Sequence, residues 1–408
     1  MPFEVPENWE WTTLENICSK IGSGSTPRGG NYSYEGIPFF RSQNVHNNGL
    51  CYDDIKYIDD ETHQCMISTE VHPGDVLLNI TGGSLGRCAV VPSTFDIGNV
   101  SQHVCILRPI LVISEYLHAF ILSGHFHKNM KVSGSGREGL PKYNLEKMVF
   151  PLPPFDEQAR IVNQVQNLMY LIDDINANRD LLEKNIYQYK QEVLDLAISG
   201  KLNTQLSTDI PALEILKAIN PSYSATDNRH YRQLPDSWQV VKIKDVFTIN
   251  PKNKVDDDID AGFVSMSMID DGYRDSYQFE KKKWSLIKGG FTHFQDGDIA
   301  VAKISPCLEN RKSMILKNLP NGIGAGTTEL HVFRSAIVYP KFALYFFKSD
   351  YFINHCVGTF NGVVGQQRVG KNIIEDIIFP LPTYEEQKRI SEKITHIFEC
   401  LDKITAEL

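Results

Sequence analysis

At 408 residues, with 42% hydrophobic and 22% charged residues, the chain is long enough for two to four domains with cores of their own. No run approaches the ~20 apolar residues of a membrane span, and Met1-Pro2-Phe3-Glu4 lacks a basic or apolar leader, so a cytoplasmic protein without membrane partners is expected. The net charge of −9 disfavours an anionic partner without excluding one, because binding depends on where the cations sit.

Val5-Pro6-Glu7-Asn8-Trp9 opens a region of short apolar runs separated by turn residues. Val76-Leu77-Leu78-Asn79-Ile80, after Pro73-Gly74-Asp75, reads as a strand, as do Cys88–Val91 and Val104–Leu107; residues 115–132 read as helical. Phe150-Pro151-Leu152-Pro153-Pro154-Phe155-Asp156-Glu157-Gln158-Ala159-Arg160-Ile161 then leads into a long helix over 156–198. Its apolar positions Ile161, Val165, Leu168, Ile172, Ile175, Leu182, Ile186 and Val193 are spaced four and three apart (Arg179 and Tyr189 fill the remaining places), which is a heptad seam. Ser199-Gly200 fits its stop. Residues 201–233 read as a linker with one short helix at 211–219.

The chain then repeats itself. Leu234-Pro235-Asp236-Ser237-Trp238 returns the opening 229 positions later, and Phe379-Pro380-Leu381-Pro382-Thr383-Tyr384-Glu385-Glu386-Gln387-Lys388-Arg389-Ile390 returns the helix entry. Between them, 299–304, 314–316 and 330–333 read as strands and 340–357 as helical. Ile390, Ile394, Ile397, Leu401 and Ile404 continue a second seam. So long a period means two copies of one domain plus its following helix. The expected fold class is α+β, with tandem α/β domains at 1–153 and 234–382, helices at 154–200 and 383–408, and a linker at 201–233. A two-fold axis relating the copies would make the helices an antiparallel coiled coil. The second helix spans about half of the first, so the stripe Ile161–Ile175 is expected to lack cover and to favour self-association or a partner.

Catalytic signatures are weak. Gly134-Ser135-Gly136-Arg137-Glu138-Gly139 matches a dinucleotide fingerprint in letters, but it follows a helix and runs into Leu140-Pro141. Thr81-Gly82-Gly83-Ser84-Leu85-Gly86-Arg87 lacks the Gly-Lys-Ser/Thr of a phosphate loop. In Pro153-Pro154-Phe155 the required polar residue is replaced by Leu152, and Ser222 breaks Asn220-Pro221-Ser222-Tyr223. The acidic runs lack calcium-loop alternation, and the eight scattered cysteines contain no C-x-x-C pair, so no metal is expected and the thiols are expected reduced.

Polar loops instead fall at matching places in both copies. Arg41-Ser42-Gln43-Asn44 aligns with Ser265–Met268; Asn79–Arg87 with Ala302–Arg311; Ser101-Gln102-His103 with Thr327-Thr328-Glu329; and Arg137–Lys142 with Gly365–Arg368. Arg, Gln and Asn suit base edges, whereas Ser, Thr and Lys suit phosphates. The candidate DNA-contacting residues are therefore Arg41, Gln43, Asn44, Asn79, Thr81, Ser84, Arg87, Gln102, Arg137 and Lys142 in the first copy. In the second they are Lys303, Ser305, Arg311, Lys312, Thr328, Gln367 and Arg368. Surface loops that drifted after duplication are the alternative on these residues alone.

The Leu/Val-Pro-x-x-Trp starts, the Gly74-Asp75-Val76 and Gly297-Asp298-Ile299 strands, the Pro-Leu-Pro…Glu-Gln-x-Arg-Ile helix entries and Ser199-Gly200-Lys201-Leu202 together resemble the DNA-specificity subunits of type I restriction–modification systems. The resemblance implies two target-recognition domains, each reading half of a bipartite, asymmetric site in double-stranded DNA, with the conserved helices as spacer. It implies a non-catalytic chain that binds no cofactor itself. It further implies two adenine methyltransferase subunits that bind S-adenosylmethionine, and translocase/nuclease subunits. The short second helix departs from the family pattern. The alternatives are a coiled-coil protein-interaction scaffold and a self-sufficient methyltransferase or endonuclease.

Overall fold

The computed structural model describes residues 3–30, 32–133, 139–223, 234–359 and 367–408. The chain divides into two compact units, Met1–Asn176 and Ala177–Leu408, so the division falls inside the long helix Phe155–Ile198.

Unit 1 is built on a four-stranded antiparallel sheet in the order Cys18–Ser23, Val104–Pro109, Val76–Asn79, Cys88–Val90. A smaller mixed sheet pairs Ile37–Phe40 with Lys56–Ile58 and Asn99–Val100. Glu10–Thr13 pairs with Val149–Leu152, tying the start of the unit to the strand that feeds the long helix.

Unit 2 repeats this topology. Its main sheet runs Thr248–Ile249, Leu330–Arg334, Ile299–Ala302, Ser313–Ile315, and its second sheet runs Glu280–Lys283, Asp260–Val264, Ile323–Gly326, Thr292–Gln295. Gln239–Lys242 pairs with Ile378–Leu381. In each unit the central strands are buried along their length, Val76–Asn79 and Ile299–Ala302 alike.

The repeated Gly-Asp has a structural cause. Gly74 (φ 82°) and Gly297 (φ 89°) take a left-handed turn that a side chain would strain. The following Asp75 and Asp298 are buried at 0% and 1% exposure. Asp75 accepts from His72 N, and both its oxygens take Arg108, from Nε and Nη2 at 2.8 Å. Asp298 accepts from Gln295 N and takes Arg334 in the same way at 2.7 Å. A buried carboxylate held this way fixes the turn, because losing its partner would strand a charge.

The repeated Gln of the helix entry is also a fastener. Gln158 donates to Pro153 O and accepts from Ile113 N; Gln387 donates to Pro382 O and accepts from Tyr339 N. Each clamps the first turn of its long helix to the start of an earlier helix, Ser114–Leu122 or Pro340–Phe347.

Each region expected to be one helix, 115–132 and 340–357, is two. Ser123 and Ser349 interrupt them by capping new helices, accepting from Phe126 N and Phe352 N. The long helix ends as expected: Gly200 (φ 73°) permits Lys201 N to reach back to Leu196 O at 2.9 Å. The stretch after it contains the helix Ala212–Ile219, whose Ala212 and Leu216 are buried in the unit 2 core.

Within unit 2 the end of the long helix and the residues after it run opposite to the C-terminal helix Tyr384–Ala406. Lys190 pairs with Asp402, Lys393 donates to Leu202 O, and Gln205 donates to Glu386. Ile186, Ile390 and Ile394 are buried, and Val193 and Ile397 pack against the same core as Leu194 and Phe398. Leu401 is half-buried and Ile404 exposed. Ile161 packs on the unit 1 core. The seam between is open: Val165, Leu168, Ile172, Ile175 and Leu182 are exposed, Ile175 at 65%.

Candidate nucleic-acid interface

The same four loops converge in each unit. In unit 1, Asn79 Nδ2 donates to Ser42 O at 2.8 Å, Ile80 N to His103 O, and Leu140 N to Ile80 O. In unit 2, Lys303 N donates to Glu329 O, Ser305 N to Gln367 O, and Lys312 Nζ to Met266 O at 3.4 Å and Ile269 O at 2.7 Å. The convergence follows from topology: three of the loops adjoin strands of the two sheets, and the fourth, between two helices, reaches them through the isolated bridges Thr81–Gly139 and Ile304–Arg368.

The candidates separate by what their side chains already hold. Gln43, Arg87, Gln102, Lys142 and Thr328 are exposed. Among the described residues Lys142 makes a loose pair with Glu146 at 3.4 Å. Arg41, Thr81, Ser84, Lys303, Ser305, Gln367 and Arg368 are half-buried. Arg41 Nη2 donates to Asp54 O, and the Ser305 hydroxyl bonds Glu309. Arg137 lies outside the described residues.

Four candidates are corrected. Asn44, fully buried, donates to Cys51 O and Asp53 O and accepts from Arg41 N. Asn79, also fully buried, holds the Ser42 carbonyl. Arg311, 7% exposed, donates from Nε to Lys348 O at 2.9 Å and from Nη1 to the Tyr187 hydroxyl at 2.5 Å, and it pairs with Asp350. These side chains are buried and shape the loops, Asn79 through its Nδ2 while its Oδ1 is buried without a partner. Lys312 is committed to main-chain carbonyls in the same sense.

Strand register also corrects the alignment of the loops. Leu78 pairs with Cys88 and Val301 with Ser313. Arg87 therefore corresponds to Lys312, and Arg311 to Gly86. Both Gly86 (φ 88°) and Arg311 (φ 57°) occupy the left-handed region, the shared geometric requirement of that turn.

Sequence reasoning missed the residues that hold the site in shape. His103 lies between Thr81 and Gln102, and Glu329 takes Arg368. Arg368 holds the Glu329 carboxyl below the usual range, mainly through their hydrogen bonds. The available signal was position: both residues directly precede an inner strand of the main sheet, Val104–Pro109 or Leu330–Arg334.

Among the described residues no group of three or more His, Cys, Asp or Glu side chains is placed to hold a metal ion. All eight cysteines are free, and burial pushes the thiols of Cys18, Cys88, Cys105 and Cys356 up to about 12. No described helix is long and apolar enough to cross a membrane.

A family model described as the type I restriction modification DNA specificity domain matches residues 6–184 and 235–408. The EcoAI specificity subunit of Escherichia coli is 37% identical over 238 residues, covering 54% of this chain and 40% of that protein. The EcoEI specificity subunit of Escherichia coli is 35% identical with the same coverage. The chain thus spans about 40% of the length of each of these relatives. The crystal structure of the HsdS subunit from Thermoanaerobacter tengcongensis superposes with a TM-score of 0.63 at 17% identity, over 100% of this chain and 93% of that one. The likeness to that structure concerns the fold; the family match, which covers both repeats, decides membership. The chain belongs to the type I restriction–modification DNA-specificity family.

Proposed function

We propose that the chain is the non-catalytic part of a type I restriction–modification complex that chooses the DNA sequence. Each unit reads one half of a bipartite, asymmetric site, with residues 1–153 and 234–382 as the two target-recognition domains. The long helix acts as the spacer; at 44 residues it extends roughly 66 Å at 1.5 Å per residue. Adenine methylation belongs, on this reading, to two methyltransferase subunits that carry S-adenosylmethionine, and cleavage to translocase/nuclease subunits. Val165, Leu168, Ile172 and Ile175, exposed on the long helix, are the surface assigned to partner docking. A second copy of the chain is the other occupant, and sedimentation across concentrations tests for it.

One observation carries the reading. The family match spans both units, and in both the same frame gathers four loops whose exposed donors differ. Two differing loop sets on one frame suit an asymmetric target. The negative total charge is tolerable where partner subunits embrace the DNA.

The test is a map of genomic adenine methylation with and without this gene, in a cell expressing an active partner methyltransferase. Loss of one bipartite motif is expected. Unchanged methylation would refute the reading and favour a scaffold; methylation by the purified chain alone would favour an enzyme.

A further inference from the structure

In each unit the residue directly before the other inner strand of the main sheet, Val104–Pro109 or Leu330–Arg334, grips a polar neighbour in the loop cluster. In unit 1 it is His103, ahead of Val104–Pro109. Its Nδ1 lies 2.8 Å from the Thr81 hydroxyl and its Nε2 3.1 Å from the Gln102 amide nitrogen. The Thr26 hydroxyl donates to Gln102 Oε1, so both ends of that exposed amide are held. In unit 2 the corresponding residue is Glu329, ahead of Leu330–Arg334. Its carboxylate takes Nε of Arg368 at 2.7 Å and Nη2 at 2.9 Å, while the Arg368 side chain stays 42% exposed.

We propose that His103 and Glu329 are positioning residues for sequence reading: they set the orientation in which Gln102 and Arg368 meet bases, without touching the bases themselves. The proposal rests on the reading that these loop clusters bind DNA.

The chemistry of each grip supports it. Gln pairs with adenine by accepting from N6 and donating to N7, so an amide turned end for end offers the wrong partner at both places. His103 joins the two side chains, its Nε2 facing the Gln102 amide nitrogen and its Nδ1 the Thr81 hydroxyl. Thr26, Gln102, His103 and Thr81 thus form one chain of contacts that holds the exposed amide at both ends and sets its plane and position. In unit 2 a carboxylate on the side-on edge, Nε and Nη2, fixes the plane along which the guanidinium extends. A long side chain ordered in advance loses less freedom on binding, and one fixed in direction discriminates more sharply. The two units use different chemistry, an imidazole and a carboxylate, at one topological position.

The experiment is methylome mapping of the full chain with its methyltransferase partner, comparing the unaltered gene with His103→Ala, Glu329→Ala and the near-isosteric Glu329→Gln. Glu329→Ala is expected to relax one base position in one half-site by about tenfold or more, leaving the other half unchanged. His103→Ala is expected to relax one position in the opposite half. Glu329→Gln, which keeps an acceptor oxygen for Arg368, should restore part of the discrimination, a rescue that a general packing role would not give. An unchanged motif in both alanine variants would overturn the proposal. So would a uniform fall in methylation across all sites. If the unaltered gene directs no motif, the DNA-recognition reading itself fails and the proposal falls with it.

Discussion

The turn after the central strand differs instructively between the two units. In unit 1 it ends Gly86-Arg87, and in unit 2 Arg311-Lys312. Arg87 projects into solvent, whereas Arg311 is buried against Tyr187, Asp350 and the Lys348 carbonyl, and Lys312 holds the Met266 and Ile269 carbonyls. The cause lies in a neighbouring cap: unit 2 reads Lys348-Ser349-Asp350 where unit 1 reads Leu122-Ser123-Gly124. With an aspartate after the capping serine there is a partner for a buried arginine; with glycine there is none. A Cβ at Gly86 would moreover meet the His127 ring at 2.5 Å. Equivalent positions in a duplicated frame can therefore do opposite work, one turn offering a cation outward and the other spending its cations on architecture.

The shared part of the frame should show the largest effect. Asp75→Ala and Asp298→Ala are each expected to cost about 3–5 kcal/mol, because each strands an arginine beside a buried turn. Similar losses in denaturant unfolding would confirm that the units share this device; a loss in one alone would break the comparison. Next comes the divergent turn. Arg311→Ala should cost about 3 kcal/mol, reduced from the fully buried case because Asp350 is partly exposed. Arg87→Ala should stay within about 0.5 kcal/mol in stability while weakening DNA binding in a gel-shift assay.

Acid should separate the units further. His331 replaces Cys105 at a matched core position, and burial pushes its imidazole down to about 4. Folded His331 stays neutral where the unfolded chain binds a proton, so this contribution is complete above about pH 6.5 and falls away toward pH 4. A loss of about 2–3 kcal/mol over that window is expected from unit 2 in pH-dependent melts, absent in His331→Asn. The smallest effect is electrostatic: Lys142→Ala should lower the salt slope of DNA binding by about 1, equally across sequences.

Much of the frame was legible. The helix entries, the Gly-Asp strands and the Gly200 stop each obey a local rule: a cap, a left-handed turn or a heptad spacing. The loops were legible only as places. Asn44, Asn79 and Arg311 have the chemistry of base readers, but their orientation is decided by the folded backbone and by distant partners: the local turn for Asn44, Ser42 O for Asn79 and Asp350 for Arg311. The split of 115–132 and 340–357 was hidden because Ser123 and Ser349 sit within helix-forming runs. A serine followed three residues later by a buried phenylalanine was the available cue.

The segment after the long helix gives the second repeat a dependence on residues that precede it. Trp238 donates to Glu386, which also takes Gln205; Asp209 takes Thr383 and pairs with Arg389. Burial lifts the Glu386 carboxyl above its ordinary range, so its hydrogen-bond donors matter to its ionised form. In unit 1 the indole nitrogen of Trp9 is buried without a partner, and Glu157 takes Asn8 instead. The second copy is thus no freestanding cassette. Excised at Leu234, it would leave behind Gln205 and Asp209, the residues that brace its own helix entry. A faithful dissection of this protein has to carry the connecting strap along with the domain that follows it.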